Sequence, residues 1–365
     1  MKLGIVHEWL NIYGGSERLL AEILGMYPHA QLHALIYNKK NLIGTPLEGH
    51  NVKTSFLQNI PRVEHLYRGL LPIMPIAIER TDIHGYDVVL SISHAVAHGV
   101  KTHKNQIHIS YVCTPMRYAW HLQNDYLHLH HLDKPILDSA ARLTLNLLRR
   151  WDRESAARAD FLLAISKWTA QKIQQAWGRN SQVIYPPVEV GRFSPTKERD
   201  NFYIHVSRLV PYKMTSEIVR AFNELKLPLV IVGDGPEMPH LQKLAKSNVR
   251  LLGHQSDEAV TDLLNRAKAF VFMAVEDFGI AMAEAQAAGC PVIAYGKGGA
   301  TEIVKDEETG LFFQEQSSRS LIEAVLKFQA MKLNGKAAQE NAARFSSERF
   351  KVEFSTYFEK MTSHL

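Results

Sequence analysis

Short apolar, strand-like runs alternate with helical segments along the whole chain, and this alternation constrains the fold more than any other feature. The first series contains "LGIVHEW", "QLHALIY", "YDVVLSIS", "IHISYVC" and "FLLAIS", and the second contains "FYIHVS", "LPLVIVG", "VRLLG", "AFVFMA" and "PVIAYG". Strands that alternate with helices indicate parallel sheets with crossover helices. The sequence therefore predicts an α/β protein with two doubly wound halves.

The boundary between the halves is a polar, turn-prone segment, "EVGRFSPTKERDN", which has neither a helical nor a strand period. We predict an N-terminal domain over 1–188, a linker over 189–200 and a C-terminal domain over 201–345. The length of 365 residues agrees with two domains rather than one.

Composition limits the setting and the partners. Hydrophobic residues make up 46% of the chain, yet no apolar run approaches the roughly 20 residues that a membrane span requires. Two cysteines, Cys113 and Cys290, cannot make a disulfide framework, so we expect a reducing, cytoplasmic setting. The net charge of +5 favours anionic partners in general, whether nucleic acid, anionic lipid or a phosphorylated small molecule.

The residues that follow the strands are the informative ones, because open parallel sheets bind ligands beyond the carboxyl ends of their strands. Gly14 and Gly15 precede a helix, where backbone amides can approach an anion or simply turn the chain. Arg208 and Lys213 bracket the turn after "YIHVS" and could hold a diphosphate or be two solvated cations. Gly233 opens the loop "GDGPE", which either lines a ligand or turns the chain.

The stretch "VEDFGIAMAEA" places two glutamates, Glu276 and Glu284, on either side of a predicted helix start. If the helix begins near Ile280, the amides around Phe278 and Gly279 lie between the carboxylates and can face a phosphate. A carboxylate accepts two hydroxyl hydrogen bonds and therefore suits a vicinal diol. The layout predicts a nucleoside diphosphate sugar as ligand; the alternative is a surface helix with scattered acids.

The segment "EDFGIAMAEAQAAGCPVIAYGKGGATEIV" resembles the E-x7-E signature region of family 4 glycosyltransferases, which have the GT-B fold. "GGSER", "IYPPV", "SRLVPYK" and "GDGPE" match the same family in order and spacing, so the resemblance covers essentially the whole chain. It implies two Rossmann-like domains that face each other across a cleft, with residues 346–365 forming a helix that crosses back to the N-terminal domain. It also implies a retaining transferase that uses a nucleoside diphosphate sugar and needs no metal or other cofactor.

Residue by residue, the resemblance assigns the diphosphate to Arg208 and Lys213, the ribose to Glu284 and the hydroxyls of the donor sugar to Glu276. It brings Gly15 to the phosphates from the first domain. The implied catalytic residues are His94, Glu276, Arg208 and Lys213. The implied donor-binding residues are Gly14, Gly15, Arg208, Lys213, Gly233, Glu276, Phe278, Gly279, Ile280 and Glu284.

His94, in "SISHAVAHG", matches the family's histidine near the transferred sugar, and the neighbouring His98 is the lesser candidate. Together with "YVCTPMRYAWH", this region resembles bacterial mannosyltransferases of O-antigen and exopolysaccharide assembly, which implies mannose transfer from GDP-mannose. That subgroup tends to carry histidine where this chain has Cys113, so the role of Cys113 stays open. Arg117 and Tyr118 are expected on the acceptor side, where Arg117 could face a lipid diphosphate or form an interdomain salt bridge.

A lipid-linked glycan acceptor implies work at an anionic membrane surface, so we expect a peripheral protein on the inner face of the cell membrane. The segment 60–71 carries cations among apolar residues and suits lipid headgroups. The helix predicted over 138–153 is similar, and either segment could instead pack on the core with a solvated face. The histidines of 121–131 lack a further fixed ligand set, so no metal site is predicted. No nucleic-acid-binding module is recognisable, and no nucleic-acid partner is expected.

The leading prediction is thus a glycosyltransferase of cell-surface polysaccharide biosynthesis. Two alternatives would share its nucleotide-sugar site: a GT-B-fold sugar-nucleotide epimerase, which takes no acceptor, and a non-catalytic nucleotide-sugar-binding partner of a polysaccharide assembly complex. The presence of Arg208, Lys213, Glu276 and Glu284 together favours an active enzyme.

Overall fold

Two parallel sheets organise the chain. The computed structural model describes residues 1–120, 123, 127, 134–194 and 198–364. The chain divides into unit 1, which comprises Met1–Pro187 and Phe350–Leu365, and unit 2, which comprises Val188–Arg349.

In unit 1, the described residues form a sheet of seven parallel strands in the order β3-β2-β1-β4-β5-β6-β7. The strands are β1 Leu3–Leu10, β2 Gln31–Tyr37, β3 Val52–Thr54, β4 Val88–Ser93, β5 Ile107–Val112, β6 Phe161–Ala164 and β7 Gln182–Val183. The helices of this part of the chain are α1 Gly15–Met26, α2 Val63–Leu66, α3 Met74–Glu79, α4 Arg117–Trp120, α5 Pro135–Ala156 and α6 Lys167–Trp177. The central strands are buried along almost their whole length, as expected for a parallel sheet covered on both faces.

In unit 2, six parallel strands follow the order β10-β9-β8-β11-β12-β13 among the described residues. The strands are β8 Tyr203–Val206, β9 Leu229–Val232, β10 Val249–Leu251, β11 Ala269–Phe272, β12 Val292–Tyr295 and β13 Gly310–Phe313. The helices are α7 Thr215–Leu225, α8 Met238–Leu244, α9 Asp257–Arg266, α10 Ile280–Ala287, α11 Ala300–Ile303, α12 Ser318–Gln329 and α13 Gly335–Ala342.

The last helix, α14 (Ser347–Thr362), packs on unit 1 through a stripe of phenylalanines one helical turn apart. Phe350, Phe354 and Phe358 are buried, and their rings pack against Tyr27 and Tyr111 with centroid distances of 5.0–6.3 Å. The spacing of four residues places all three rings on one face of the helix, so one apolar stripe fixes the helix to the sheet of unit 1.

The described part of the segment predicted as a linker is held against unit 2. The backbone N–H of Val188 donates to the carbonyl of Phe345 at 2.9 Å, and a short 3₁₀ turn follows at Val190–Arg192. The guanidinium of Arg199 donates to the carbonyls of Ala267 and Ala288. This segment therefore contributes side chains and backbone to unit 2.

Each sheet has one switch point, which is a pair of neighbouring strands whose outgoing connections lead toward opposite edges of the sheet. In unit 1 the switch lies between β1 and β4, and in unit 2 between β8 and β11. Loops diverge at such points and leave a crevice beyond the carboxyl ends of the strands. The candidate functional residues should therefore follow β1 and β4 in unit 1, and β8 and β11 in unit 2.

Candidate functional site

The switch point of unit 1 is built around a buried carboxylate, Glu8, near the end of β1. One oxygen, Oε1, accepts hydrogen bonds from four successive backbone N–H groups, those of residues 94–97, at 2.9–3.0 Å. The hydroxyl of Ser93 donates to the same oxygen at 3.1 Å. We call these five donors the amide collar. The collar follows from the loop after β4, which curls its amides around the side chain that the neighbouring strand presents.

His94 lies at this collar and uses the second oxygen of Glu8. Its Nδ1 is 3.0 Å from Glu8 Oε2, and its side chain is 21% exposed. The ring stands edge-on to Trp9 at a centroid distance of 4.7 Å and lies 5.5 Å from the ring of His7. Since Nδ1 is buried against Glu8, Nε2 is the ring nitrogen that remains for a ligand.

Electrostatics tie the protonation states of Glu8 and His94 together. Burial alone would raise the pKa of Glu8, but the charge and hydrogen bond of His94, helped by the collar, hold that pKa well below its ordinary value. Burial alone would lower the pKa of His94, but the charge and hydrogen bond of Glu8 outweigh burial and raise that pKa. Each group of the pair therefore favours the charged form of the other.

The N-terminus of α1 lies beside this pair and contains the predicted Gly14 and Gly15. Glu17 completes the helix start, because its Oε2 accepts the backbone N–H of Gly14 and the hydroxyl of Ser16, each at 3.0 Å. The amide of Gly14 is thus already bonded within the protein. Gly15 begins the helix, where a first-turn amide suits an anion.

His7, Glu8 and His94 could in principle hold a metal ion, since one ligand atom from each lies within 4.8 Å of the others. The geometry gives this grouping other roles. Oε1 of Glu8 already faces the five donors of the collar, and Oε2 faces His94. Burial lowers the pKa of His7, which keeps that ring neutral.

His98, the lesser candidate, is packed as a structural side chain. It is buried, it hydrogen-bonds to the hydroxyls of Ser93 and Ser155 at 3.0 and 3.1 Å, and its ring packs on Trp177 at 4.7 Å. Asp152 lies 3.5 Å from its Nε2. The structure therefore separates the two histidines: His94 reaches the surface at the switch point, and His98 is part of the core.

The predicted acceptor-side residues begin α4, directly after β5. Arg117 and Tyr118 are partly buried, and the charge of Arg117 lowers the pKa of His94, opposing the effect of Glu8. Cys113 is buried at the end of β5, where its N–H donates to the carbonyl of Ser93 at 2.7 Å. Its backbone thereby holds the strand end next to the collar. The histidines at 121, 128, 130 and 131 lie outside the described residues.

The switch point of unit 2 brings together two of the predicted catalytic residues. Lys213 follows β8 and forms an ion pair with Glu276, which follows β11; each side chain is 14% exposed. The Nζ of Lys213 also lies 5.4 Å from the ring centroids of Tyr212 and Phe272, so aromatic faces support the cation. Arg208, on the same loop after β8, is exposed.

The loop after β9 approaches this site through backbone alone. Gly233 has φ +130°, and a Cβ at this position would lie 1.8 Å from the carbonyl oxygen of Ser207, which precedes Arg208. Only glycine fits such a close approach in this conformation. Gly233 therefore contributes by letting the two loops meet.

The helix within "VEDFGIAMAEA" begins where the sequence predicts it. α10 begins at Ile280, preceded by Gly279 in the left-handed region and by Phe278, which is buried against Phe345 at 5.2 Å. Glu276 lies before the helix and Glu284 one turn within it. The first-turn amides of α10 therefore begin between the two carboxylates.

Arg192 is a site residue that the strand-end reasoning missed. Its guanidinium donates to Glu284 at 2.6 Å and lies 3.5 Å from Asp257 at the start of α9. Its side chain belongs to the segment predicted as a linker, 92 residues from Glu284 in sequence. Glu8 was missed for a different reason, because it lies inside a strand and not after one. The available signal was a single acidic residue within an apolar strand, since a buried carboxylate needs partners.

Each switch point therefore has a basic side chain paired with a carboxylate beside a helix N-terminus. Cations and helix amides bind phosphate, and carboxylates bind hydroxyl groups. Unit 2 carries two such pairs, Lys213 with Glu276 and Arg192 with Glu284. This chemistry suits a ligand that combines phosphates with sugars.

Comparison with known proteins agrees with the fold and with this chemistry. Residues 189–345, nearly all of unit 2, match the family model of "Glycosyl transferases group 1". A GDP-mannose-dependent alpha-(1-6)-phosphatidylinositol monomannoside mannosyltransferase of Mycobacterium tuberculosis is 31% identical over 201 residues, which cover 46% of this chain and 51% of the relative. An uncharacterized glycosyltransferase of Methanocaldococcus jannaschii is 24% identical over 224 residues, 59% of this chain and 63% of the relative. The chain thus spans only 51% to 63% of the length of these relatives.

Among solved structures, the chain is similar to Anabaena HepE in complex with UDP and glucose. The TM-score is 0.72 at 19% identity, over 98% of this chain and 99% of that one. Two Rossmann-like units, each on a parallel sheet, are the architecture of GT-B glycosyltransferases, and the predicted α/β, GT-B fold class is confirmed.

Proposed function

We propose that the protein is a retaining glycosyltransferase that moves a sugar from a nucleoside diphosphate sugar to a lipid-linked or oligosaccharide acceptor in cell-surface polysaccharide biosynthesis. The observation that carries the proposal is the ion pair of Lys213 and Glu276 at the switch point of unit 2. This pair lies beside α10 and within the segment that matches the group 1 glycosyl transferases.

The proposed chemistry follows from the charges that form during transfer. Breaking the anomeric C–O bond builds positive charge on the sugar and negative charge on the leaving phosphate. Lys213, Arg208 and the first amides of α10 are proposed to bind the diphosphate and stabilise its developing charge, since preorganised charges and dipoles need little rearrangement. Glu276 then accepts hydrogen bonds from the hydroxyls of the sugar, and Glu284 from those of the ribose.

The residues that hold these carboxylates support the assignment. The Arg192 guanidinium fixes one oxygen of Glu284, at 2.6 Å, so the carboxylate has a set orientation. Lys213 contacts one oxygen of Glu276 in the same way. Each glutamate is thus oriented before a ligand arrives, which reduces the entropy cost of binding.

We propose GDP-mannose as the donor. The proposal rests on the Mycobacterium tuberculosis relative, whose name specifies GDP-mannose, and which matches this chain over 201 residues at 31% identity. A metal ion is not required in this scheme, because the proposed diphosphate contacts are all protein groups.

A thermal-shift series with GDP-mannose, UDP-glucose and UDP-N-acetylglucosamine tests the donor. Ligand that binds the folded state stabilises it by about 2.7 kcal/mol at one hundred times Kd, so the correct donor should raise Tm by several degrees. Lys213→Ala is the control and should lose the shift. If none of the three nucleotide sugars raised Tm, the donor-site assignment would be wrong; a larger shift with a UDP-sugar would replace the proposed donor.

We also propose that the acceptor is reached at an anionic membrane surface. In the described part of the chain, no helix is long and apolar enough to span a bilayer. The segment 60–71 folds as the short helix α2 and a 3₁₀ turn, with Leu66 exposed at 52% and Arg62 also exposed. Ile73 and Ile76, which follow this segment in the sequence, are also exposed. We call Arg62, Leu66, Arg68, Ile73 and Ile76 the docking face.

The second predicted amphipathic segment, within α5, is divided between core and solvent. Leu145 and Leu148 are buried, which agrees with a helix that packs on unit 1. Leu143 and Leu147 are exposed at 63% and 61%, one turn apart and next to basic residues. This helix thus adds an exposed basic and apolar strip that would also suit lipid headgroups.

A further inference from the structure

The two carboxylate oxygens of Glu8 make different contacts. Oε1 takes all five donors of the amide collar, and Oε2 faces only the Nδ1 of His94 among the contacts described. The collar satisfies Oε1 but leaves Oε2 buried without a backbone donor. The contact with His94 is therefore the contact that compensates the burial of Oε2.

The geometry fixes the imidazole in one orientation. Nδ1 of His94 lies 3.0 Å from Oε2 of Glu8. Because a carboxylate only accepts hydrogen bonds, a hydrogen bond between them places the proton on Nδ1. The edge contact with Trp9 at 4.7 Å restrains rotation of the ring. Nε2 then points away from Glu8, to the exposed side of the ring.

The charged and titratable groups that face His94 come from three elements. Glu8 and His7 belong to β1, Glu17 to α1, and Arg117 to α4. The two carboxylates favour the imidazolium, whereas Arg117 opposes it, and His7 is held neutral by burial. Glu8, with the direct hydrogen bond, dominates this balance.

We propose that Glu8 is a positioning residue for the transfer reaction, which holds the imidazole of His94 so that its Nε2–H is presented to an oxygen of a ligand bound beyond the strands of unit 1. The assignment rests on the proposed function for its substrate, but the control of His94 by Glu8 does not. A charged imidazole strengthens such a hydrogen bond, because charge-assisted bonds are roughly twice as strong as neutral ones.

A metal-binding role for the same cluster makes a different prediction. A metal ion would need one ligand atom from each of His7, Glu8 and His94 at the same time, and a ring nitrogen that binds a metal carries no proton. A metal bound through Nδ1 of His94 and Oε2 of Glu8 would therefore replace the direct contact between these two atoms. Zinc measured by mass spectrometry at one equivalent in the purified protein, with His94 that does not titrate, would overturn the proposal.

The direct test is a side-chain NMR titration of the wild-type protein labelled with ¹⁵N-histidine. The signals of His94 are identified by their loss in His94→Gln. We expect a His94 pKa above 6.5 and Nδ1 as the hydrogen-bonded nitrogen, and in Glu8→Gln a pKa at or below 6.5. A wild-type His94 that titrates at or below 6.5, or a pKa that does not change in Glu8→Gln, would contradict the proposal. The wild-type measurement holds even if Glu8→Gln fails to fold.

A matched control is Glu79→Gln. Glu79 is another carboxylate of unit 1 held by several donors, including Trp151 and Arg158, and its pKa is lowered to about 2. Its loss should destabilise unit 1 but leave the His94 titration in place. If both variants shifted His94 equally, the shift would reflect general loosening of unit 1 and not the Glu8 contact.

Kinetics then separate positioning from folding. We expect Glu8→Gln to lower kcat by about 10²-fold, which is typical of losing a preorganised hydrogen-bond donor. The KM for the nucleotide sugar and the Kd for the nucleoside diphosphate should stay within about twofold of wild type. In a His94→Gln background the same change should add little, since Glu8 acts through His94. Equal effects of Glu8→Gln in both backgrounds would refute the positioning role.

The two proposals fail in distinguishable ways. If the protein transferred no sugar at all but His94 kept its Glu8-dependent pKa, only the proposed function would be lost. If transfer were intact and His94 were uncoupled from Glu8, only the positioning role would be lost.

Discussion

Lys213→Ala is the substitution that most directly probes the donor site. The side chains of Lys213 and Glu276 are each 14% exposed and form an ion pair. Removing one partner of a fully buried pair costs roughly 3–5 kcal/mol, and a pair that keeps some contact with water costs less. We therefore expect a loss of about 1–3 kcal/mol in the free energy of unfolding.

Lys213→Ala should also slow the reaction, because the leaving phosphate loses one of the two cations proposed to bind it. We expect kcat/KM to fall about 10²-fold, which corresponds to about 2.7 kcal/mol of transition-state stabilisation. The assay is transfer from GDP-mannose followed by mass spectrometry, with urea unfolding of the same preparation. Lys327→Ala is the matched control: Lys327 pairs with Glu307 in unit 2, but both are more than half exposed, so we expect little change in the free energy of unfolding and unchanged turnover.

A double variant distinguishes the two roles of Lys213. Lys213→Ala combined with Glu276→Ala removes the uncompensated carboxylate, so the free energy of unfolding should recover by about 1 kcal/mol or more. Activity should stay low, because both proposed donor contacts are gone. If activity recovered along with stability, or if Lys213→Ala alone kept near-normal turnover, the diphosphate assignment would be refuted.

Four further outcomes are expected. Arg192→Ala should raise the KM for the donor by roughly tenfold with a smaller effect on kcat, because it frees Glu284 from its fixed orientation; an unchanged KM would contradict this. Activity should be complete in EDTA, and strict dependence on added Mg²⁺ or Mn²⁺ would contradict the metal-independent scheme. Arg62→Glu/Arg68→Glu should reduce co-sedimentation with anionic vesicles at low salt, since each cation near such a surface contributes about 1 kcal/mol; equal binding would rule out the docking face. The difference in the free energy of unfolding between wild type and Glu8→Gln should be largest between pH 4.5 and 6.5. The lowered pKa of Glu8 stabilises the fold above pH 4.5, and the raised pKa of the histidine that it contacts stabilises the fold below pH 6.5. A pH-independent difference in urea unfolding would contradict that linkage.

The parts of the fold that follow from periodicity could be predicted from the sequence. Buried parallel strands read as apolar runs, and helices follow them at regular intervals, so the two α/β halves are visible without a structure. The start of α10 at Ile280 could be placed because Gly279 and the acidic loop before it mark a helix boundary.

The parts of the site that depend on contacts across long stretches of sequence could not be predicted. Arg192 reaches Glu284 from a segment that reads as a linker, and nothing local to "EVGRF" indicates its partner. The amide collar is made by backbone groups, which carry no residue-type signal, so Glu8 showed only as an acid inside an apolar strand. The separation of His94 from His98 likewise required the packing of the loop after β4.

The packing of α14 on unit 1 has a consequence for biosynthesis. Unit 2 is inserted between two pieces of unit 1, so the ribosome makes the whole of unit 2 before it makes Phe350, Phe354 and Phe358. Until then, the surface around Tyr27 and Tyr111 that these rings cover is exposed on the nascent chain. Burying three such rings contributes several kcal/mol at about 1.5–3 kcal/mol each. Unit 1 should therefore mature only after unit 2 and α14 have been synthesised, and a chain shortened before Phe350 should depend on chaperones to stay folded.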